Sequence, residues 1–281
     1  MESASSINAQ QIEFWNGAAG ERWAALQERI DLHMNAITDA AIPFAAPLTD
    51  ERALDIGCGC GTTTLLLAMK VGPEGAAAGI DISVPMLNVA RARAAAQNAN
   101  VAFVEADAST HDFQPVFDLV FSRFGVMFFA DPVAAFSNIR RALAPRGRLA
   151  FVCWRSAKEN LWASAPMQAA KDLLPPQEPV DPYAPGPFAF AEKDRLRSML
   201  KEAGYHGIRI EPLDTTMNMG ATLEYAADES LNIGPLSRAA ADVDAATRAK
   251  IHDAVAAAFA PFQSPTGITP PAACWLVGAR G

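Results

Sequence analysis

Three glycines at alternate positions, in the run Leu54-Asp55-Ile56-Gly57-Cys58-Gly59-Cys60-Gly61-Thr62, are the first place where this chain offers chemistry. Without a Cβ, such a loop can turn tightly and lie close against a ligand, so the run reads as a binding loop rather than a plain tight turn. Asp81 follows 24 residues after Gly57, in Gly79-Ile80-Asp81-Ile82-Ser83. A carboxylate there can accept hydrogen bonds from both hydroxyls of a ribose lying across strand ends. The competing role is to cap the next helix, for which Ser83 is the better residue. Asp81 is expected to face a ligand crevice rather than the core, so its loss should leave folding stability little changed. Ala106-Asp107-Ala108 offers a third acidic position; its bland alternative is a turn cap. Ile82 and Met86 could wall a flat ring, although a Met at the start of an amphipathic helix is as often core.

These residues need a frame, and residues 52–153 supply it by repeating a β-rich run, a turn and a helical stretch, the pattern of a parallel sheet covered by helices. Strands are expected at Arg52–Ile56, Ala76–Ile80, Val101–Glu105, Phe117–Ser122 and Arg148–Cys153. Helices are expected at Thr63–Val71, Val84–Ala99 and Pro132–Leu143, started by Thr62, Ser83 and Asp131. A turn at Ala144-Pro145-Arg146-Gly147 leads into the fifth strand. Beyond it, Glu192–Ala203 reads as a helix closed by Gly204, Ile208–Leu213 as a sixth strand and Ala273–Ala279 as the last. Helical stretches at Thr222–Leu231 and Val243–Phe259 fill a connection too long for a hairpin loop. The expected division is 1–48 an N-terminal helical lid, 49–155 the binding core, 156–190 an irregular cap insertion, 191–213 core helix and strand, 214–272 a helical cap insertion and 273–281 the last strand. Lid and caps together should close over the binding loop and leave a mainly apolar pocket.

Composition excludes several classes. With 281 residues, 51% of them hydrophobic and 19% charged, the chain is a folding, non-disordered protein. A net charge of −8 and scattered basic residues argue against a nucleic-acid partner. No apolar run reaches bilayer length, and the N-terminus lacks a basic-then-apolar leader, so a cytoplasmic protein without membrane insertion is expected. Cys58, Cys60, Cys153 and Cys274 show no disulfide framework, and Cys58-Gly-Cys60 has no second Cys or His pair for zinc, so no metal is expected. Oligomeric state is not readable.

The Gly-x-Gly-x-Gly form of the loop, with Thr62 where a dinucleotide fingerprint has its third glycine, resembles the first motif of class I S-adenosylmethionine-dependent methyltransferases. The subtype resembles the bacterial small-molecule group that includes the ubiquinone/menaquinone-type enzymes. The resemblance implies an α/β fold: a Rossmann-like seven-stranded, mostly parallel sheet with an antiparallel last strand, plus a helical cap. It implies S-adenosyl-L-methionine as cofactor, with Asp55, Gly57, Cys58 and Gly59 in the loop, Asp81 on the ribose, and Ile82, Met86, Asp107 and Ala108 around the adenine. It places Ser122, at the end of Phe117-Asp118-Leu119-Val120-Phe121-Ser122, beside the transferable methyl group, and Trp23, in a lid segment with Trp15, over the cofactor. Ser122-Arg123-Phe124-Gly125 stands where enzymes acting on exocyclic amines of bases carry a Pro-Pro tetrad, and no cysteine has the setting needed for cytosine carbon-5 methylation. A small-molecule acceptor is therefore expected, with the atom methylated left open.

No catalytic residue stands out. His33 could overhang the site, His111, His206 and His252 less favourably, and Arg123 could hold an anionic substrate or pair with a carboxylate. The alternatives are an NAD(P)-dependent oxidoreductase on the same scaffold, opposed by the missing glycine, and a non-catalytic S-adenosylmethionine-binding protein.

Overall fold

The computed structural model describes residues 4–176 and 181–281. In chain order the elements are α1 (Ala4–Asn16), α2 (Ala18–Ala25), α3 (Gln27–Ala45), β1 (Arg52–Ile56), α4 (Thr62–Val71), β2 (Ala76–Asp81), α5 (Val84–Ala96), β3 (Val101–Glu105), β4 (Phe117–Arg123), α6 (Pro132–Arg140), β5 (Leu143–Trp154), α7 (Leu161–Ala170), α8 (Lys193–Glu202), β6 (His206–Thr216), α9 (Leu223–Asn232), α10 (Pro235–Ala239), α11 (Ala245–Phe259), β7 (Gln263–Ser264), β8 (Gly267–Ile268) and β9 (Pro271–Arg280).

The main sheet has seven strands in the order β3-β2-β1-β4-β5-β9-β6. β1 to β5 pair in parallel, and β9 runs antiparallel between β5 and β6. The architecture is the Rossmann-like, mostly parallel sheet with an antiparallel last strand that the family resemblance implied. Strand order reverses between β1 and β4, and in open α/β sheets ligands bind outside the carboxyl ends of the strands at such a point. The central strands are buried on both faces, as Leu119, Val120 and Phe121 of β4 and Phe151, Val152 and Cys153 of β5 show.

Several elements differ from the sequence reading. The turn Ala144–Gly147 lies within β5: pairing with β4 already begins at Phe117–Leu143 and resumes at Leu119–Arg148. The intervening residues bulge out, with Arg146 in the left-handed region at φ 75°. Helix α4 is capped by Gly61, at φ 80°, and Thr62 is its first residue rather than its cap. Ser83 sits at the N-cap of α5, but its hydroxyl donates to the Trp15 carbonyl at 2.6 Å instead of capping. Asp131 does cap α6, accepting from the Ala134 amide at 2.9 Å.

The span 156–190 is not wholly irregular. Its proline-rich composition hides α7, which carries Pro166 within it and packs on α9, α10 and α11; residues 177–180 lie outside the described residues. Asn160 organises this cap. Its side-chain oxygen accepts from the Ala273 amide at 2.9 Å and the Trp162 indole at 3.0 Å, and its nitrogen donates to the Ser156 and Ala273 carbonyls, each at 3.0 Å. No helix among the described residues is long and apolar enough to cross a membrane.

Candidate functional site

The turn after β1 meets the turn after β4 where strand order reverses. A Cβ on Gly57, which has φ 64°, would lie 2.6 Å from the Gly125 Cα, so only glycine lets the two backbones touch. The Gly57 amide donates to the Ile80 carbonyl at 2.8 Å, drawing the loop across the end of β2. Gly125 closes the Ser122-Arg123-Phe124-Gly125 segment, but nothing in that segment announces its contact with Gly57, 68 residues away in sequence.

Beneath this loop Asp55 is fully buried and accepts the Thr63 and Thr64 hydroxyls at 2.7 and 2.8 Å, while its Oδ1 has no partner among the described residues. Burial pushes its carboxyl up to about 6, against the pull of those two hydrogen bonds. Asp55 thus ties β1 to the first turn of α4 and does not line the cavity. Cys58 does line it, but its thiol is turned onto Gly79, where a Cβ would stand 2.7 Å from Sγ, and burial keeps the thiol protonated. The thiol therefore faces the sheet.

Asp81 is 8% exposed and faces the cavity from the end of β2. Its Oδ2 accepts the Gly59 amide at 2.7 Å and its Oδ1 the Ser83 amide at 2.8 Å. It is therefore a buried organiser of the loop as well as a cavity wall, which corrects the expectation that its removal would leave stability unchanged. Burial raises its carboxyl above the ordinary value, outweighing the backbone amides of Ser83, Gly59 and Ile82, which pull the other way. A carboxylate has about four acceptor positions, so roughly one on each oxygen stays open. At the end of β3, Asp107 accepts from the Asn8 side chain at 2.9 Å and the Ser109 amide at 2.8 Å. Ile82, Met86, Asp107, Ala108 and Gly59 line the same cavity.

The lid closes the cavity from above. Trp15 lies edge-on to Trp23 and to Phe128, and both tryptophans line the space. From α3 come Gln27, Ile30, Asp31 and Met34, spaced so that they share one helix face. Asp31 is the polar centre of that face. Its two oxygens accept the Thr62 hydroxyl at 2.8 and 2.7 Å, Gln27 donates to it, and Arg93 and Arg123 stand 3.3 and 3.5 Å away. Arg123 also donates to the Thr38 hydroxyl at 2.7 Å, so it is engaged by the lid. The helical spacing of 27, 30, 31 and 34 carried the signal for this face; the pairing of Asp31 with the glycine loop had none.

The far end of the cavity is aromatic and apolar. Phe124 stacks on Trp154 at 4.2 Å and 9°, Trp154 leans on Trp162 at 4.9 Å, and Met127, Phe128, Met217 and Ile233 complete the wall. Ser122 is absent from it. Its hydroxyl donates to the Ile56 carbonyl at 2.7 Å, fully buried, because side chains alternate along β4 and this one points into the sheet junction. His33 also lies outside the cavity, buried beside Glu229, and burial together with the nearby Arg29 lowers it to about 4. His111 packs edge-on to Phe113, and His252 lies against the Glu224 carbonyl at 3.2 Å. The space measures about 220 Å³ where one water needs roughly 10–15 Å³, so it is sized for a ligand rather than a few waters.

A family model described as "Methyltransferase domain" matches residues 53–147, from β1 to the bulge in β5. Demethylmenaquinone methyltransferase of Staphylococcus aureus is 32% identical over 170 residues, which cover 57% of this chain and 69% of that protein. The chain belongs to the class I methyltransferases of the ubiquinone/menaquinone type. The methyltransferase uses S-adenosylmethionine and transfers a methyl group to a small molecule. Among solved structures, phosphoethanolamine N-methyltransferase 2 of Haemonchus contortus, in complex with phosphomonomethylethanolamine and S-adenosylhomocysteine, superposes with a TM-score of 0.61 over 100% of this chain and 60% of that one, at 19% identity. The cyclase SpnF gives a TM-score of 0.53, covering 88% of this methyltransferase and 80% of that chain, also at 19% identity. At these identities the likeness is one of fold, and function is argued from the site.

Proposed function

We propose that the glycine-loop end of the cavity holds S-adenosylmethionine and that the aromatic end holds an apolar, ring-containing methyl acceptor. The observation that carries this reading is the continuity of the cavity: Gly57, Gly59, Asp81 and Asp107 line one end, and Phe124, Trp154, Trp162 and Met217 the other. The open acceptor positions of Asp81 suit two ribose hydroxyls, and Asp107 with Ala108 suits the adenine edge between Ile82 and Met86. Asp55 and Ser122 act from beneath, holding the loop and the end of β4 in place. Trp23 and Trp15 cover the cofactor from the lid.

The cofactor supplies a methyl group on a cationic sulfur that leaves as a neutral thioether. The chain's own contribution is to align the acceptor and exclude water. Orientation of this kind provides roughly 7–11 kcal/mol of barrier reduction in favourable cases. No histidine lines the cavity among the described residues, and no general base is assigned. The four cysteines are unpaired, which suits a reducing compartment, and with the acidic charge the proposal is a cytoplasmic enzyme that does not bind nucleic acid specifically.

The name of the Staphylococcus aureus relative makes reduced demethylmenaquinone the first acceptor to try. The enzyme is incubated with methyl-labelled S-adenosylmethionine and that quinol, and label is sought in the organic phase. Label in the ring product is the expected result. A calorimetric titration with no S-adenosylmethionine binding overturns the cofactor assignment, and binding without transfer to any ring acceptor overturns the acceptor class.

A further inference from the structure

Beside the main chamber lies a smaller hollow between α3, α7 and α9, with room of about 10 Å³, enough for one water-sized group. Trp162, Met217 and Ile233 line both spaces. The hollow thus shares a wall with the aromatic end. Its polar wall is Glu229, which has no exposed surface. One oxygen of Glu229 accepts from Arg29 at 3.0 Å. Among the described residues the other, Oε2, has no hydrogen-bond partner; His33 Nε2 stands 3.5 Å from it, and Tyr225, its phenol raised by burial and by Glu229, also faces this carboxylate. A buried carboxylate oxygen without a donor is a costly arrangement, and it is relieved when an entering group brings the donor.

The surroundings say which donor fits. Arg29 already balances the charge of Glu229, so an ammonium would leave a net positive charge in an apolar compartment, an expensive outcome. His33 is neutral, held so by burial and by Arg29. A neutral hydroxyl adds no charge and occupies one water-sized volume. The wall that faces the main chamber is flat and aromatic: Trp162 is fixed by its indole bond to Asn160 at 3.0 Å and continues the succession of Phe124 and Trp154.

We propose that Glu229 is a specificity-determining residue of the acceptor site, its Oε2 accepting a hydrogen bond from a hydroxyl on a planar, otherwise apolar methyl acceptor, with His33 at its side. This rests on the reading of the aromatic end as the acceptor chamber. The hollow then selects phenol-like or hydroquinone-like rings over rings of the same shape without a donor.

The test uses the full chain loaded with S-adenosylhomocysteine and two probes of matched shape, 2-naphthol and 2-fluoronaphthalene, titrated calorimetrically. A hydrogen bond to a charged acceptor predicts a preference for 2-naphthol of about tenfold or more. Glu229→Gln should shrink that preference several-fold while S-adenosylhomocysteine affinity stays at the parent value. A preference that Glu229→Gln leaves at the parent value overturns the proposal; where that variant does not fold, Glu229→Asp, whose shorter side chain withdraws the carboxylate from the hollow, is read in its place. Equal affinity for the two probes, or no binding of either to the loaded enzyme, overturns the proposal. So does tighter binding of 2-naphthylmethylammonium than of 2-naphthol. Failure of S-adenosylhomocysteine itself to bind counts against the cofactor reading instead, so the two failures are told apart.

Discussion

The two ends of the cavity are built in different ways. At the glycine-loop end, backbone does the shaping: Gly57 against Gly125, and amides of Gly59 and Ser83 on one buried carboxylate. At the aromatic end, side chains do it: the Phe124, Trp154 and Trp162 succession, held through Asn160 and capped by helices distant in sequence. A backbone-built site depends on where a Cβ cannot go, whereas a side-chain-built site depends on which residues happen to converge. The first should therefore be brittle to added atoms, and the second brittle to lost ones.

The sharpest way to break this contrast is Gly57→Ala. The new methyl meets the Gly125 backbone at 2.6 Å, and φ 64° disfavours an L-residue. A cost of roughly 2–5 kcal/mol in stability is expected from overpacking and left-handed strain together, with S-adenosylmethionine affinity lowered more than about a hundredfold. Chemical denaturation and calorimetry check both. Next, Asn160→Ala removes the hub of the aromatic end. Leaving the Ala273 amide and the Trp162 indole without partners should cost roughly 2–4 kcal/mol, while the Ala273 carbonyl keeps the Arg155 amide at 3.0 Å. It should lower kcat/KM for the acceptor while leaving cofactor affinity within about threefold of the parent, an outcome read from the same titrations beside steady-state kinetics.

A pH comparison sets two buried groups outside the cavity against each other: Asp55 beneath the glycine loop and His33 in the hollow beside the aromatic end. Asp55 is raised from 3.8 to about 6, so the fold favours its protonated form; that stability is present at low pH and lost as pH rises through 6. His33 is lowered from 6.5 to about 4, so the fold favours its neutral form; that stability is present above 6.5 and lost as pH falls toward 4. Each is worth about 3 kcal/mol in order of magnitude, and they oppose one another in the same window. Asp55→Asn should therefore make stability rise with pH between about 4 and 6.5, and His33→Gln should make it fall across that range. Urea midpoints at half-unit pH steps check this, and parallel slopes in the two variants would contradict it. The smallest effect is expected for Cys58→Ala, under about tenfold on cofactor affinity, since its thiol faces Gly79.

The same contrast explains what could be read from the sequence. The loop, Asp81, Asp107 and the strands that carry them were legible because adjacent residues with a fixed spacing do the work. Gly125, Asp31, Asn160 and Glu229 were not, because each gains its role from a partner in another element: Gly57, Thr62, Ala273 and Arg29. Pro166 misled the reading of 156–190, since a proline within a short helix removes one backbone donor without abolishing the helix. Ser122 and Asp55 lie beneath the cavity rather than on its wall, and motif position does not say which way a buried side chain turns.

The central claim is that Asp81 joins the glycine loop to the ribose of S-adenosylmethionine, and calorimetric titration of Asp81→Asn against the parent tests it most directly. Asp81 also holds the Gly59 and Ser83 amides, so the apo variant should melt somewhat lower; the titration is run well below that melt. Two hydroxyl bonds to an ionised carboxylate are worth on the order of 1.5–3 kcal/mol each, partly replaced in the amide, so affinity should fall roughly ten- to a thousandfold. A folded Asp81→Asn protein that binds S-adenosylmethionine as tightly as the parent would contradict the account.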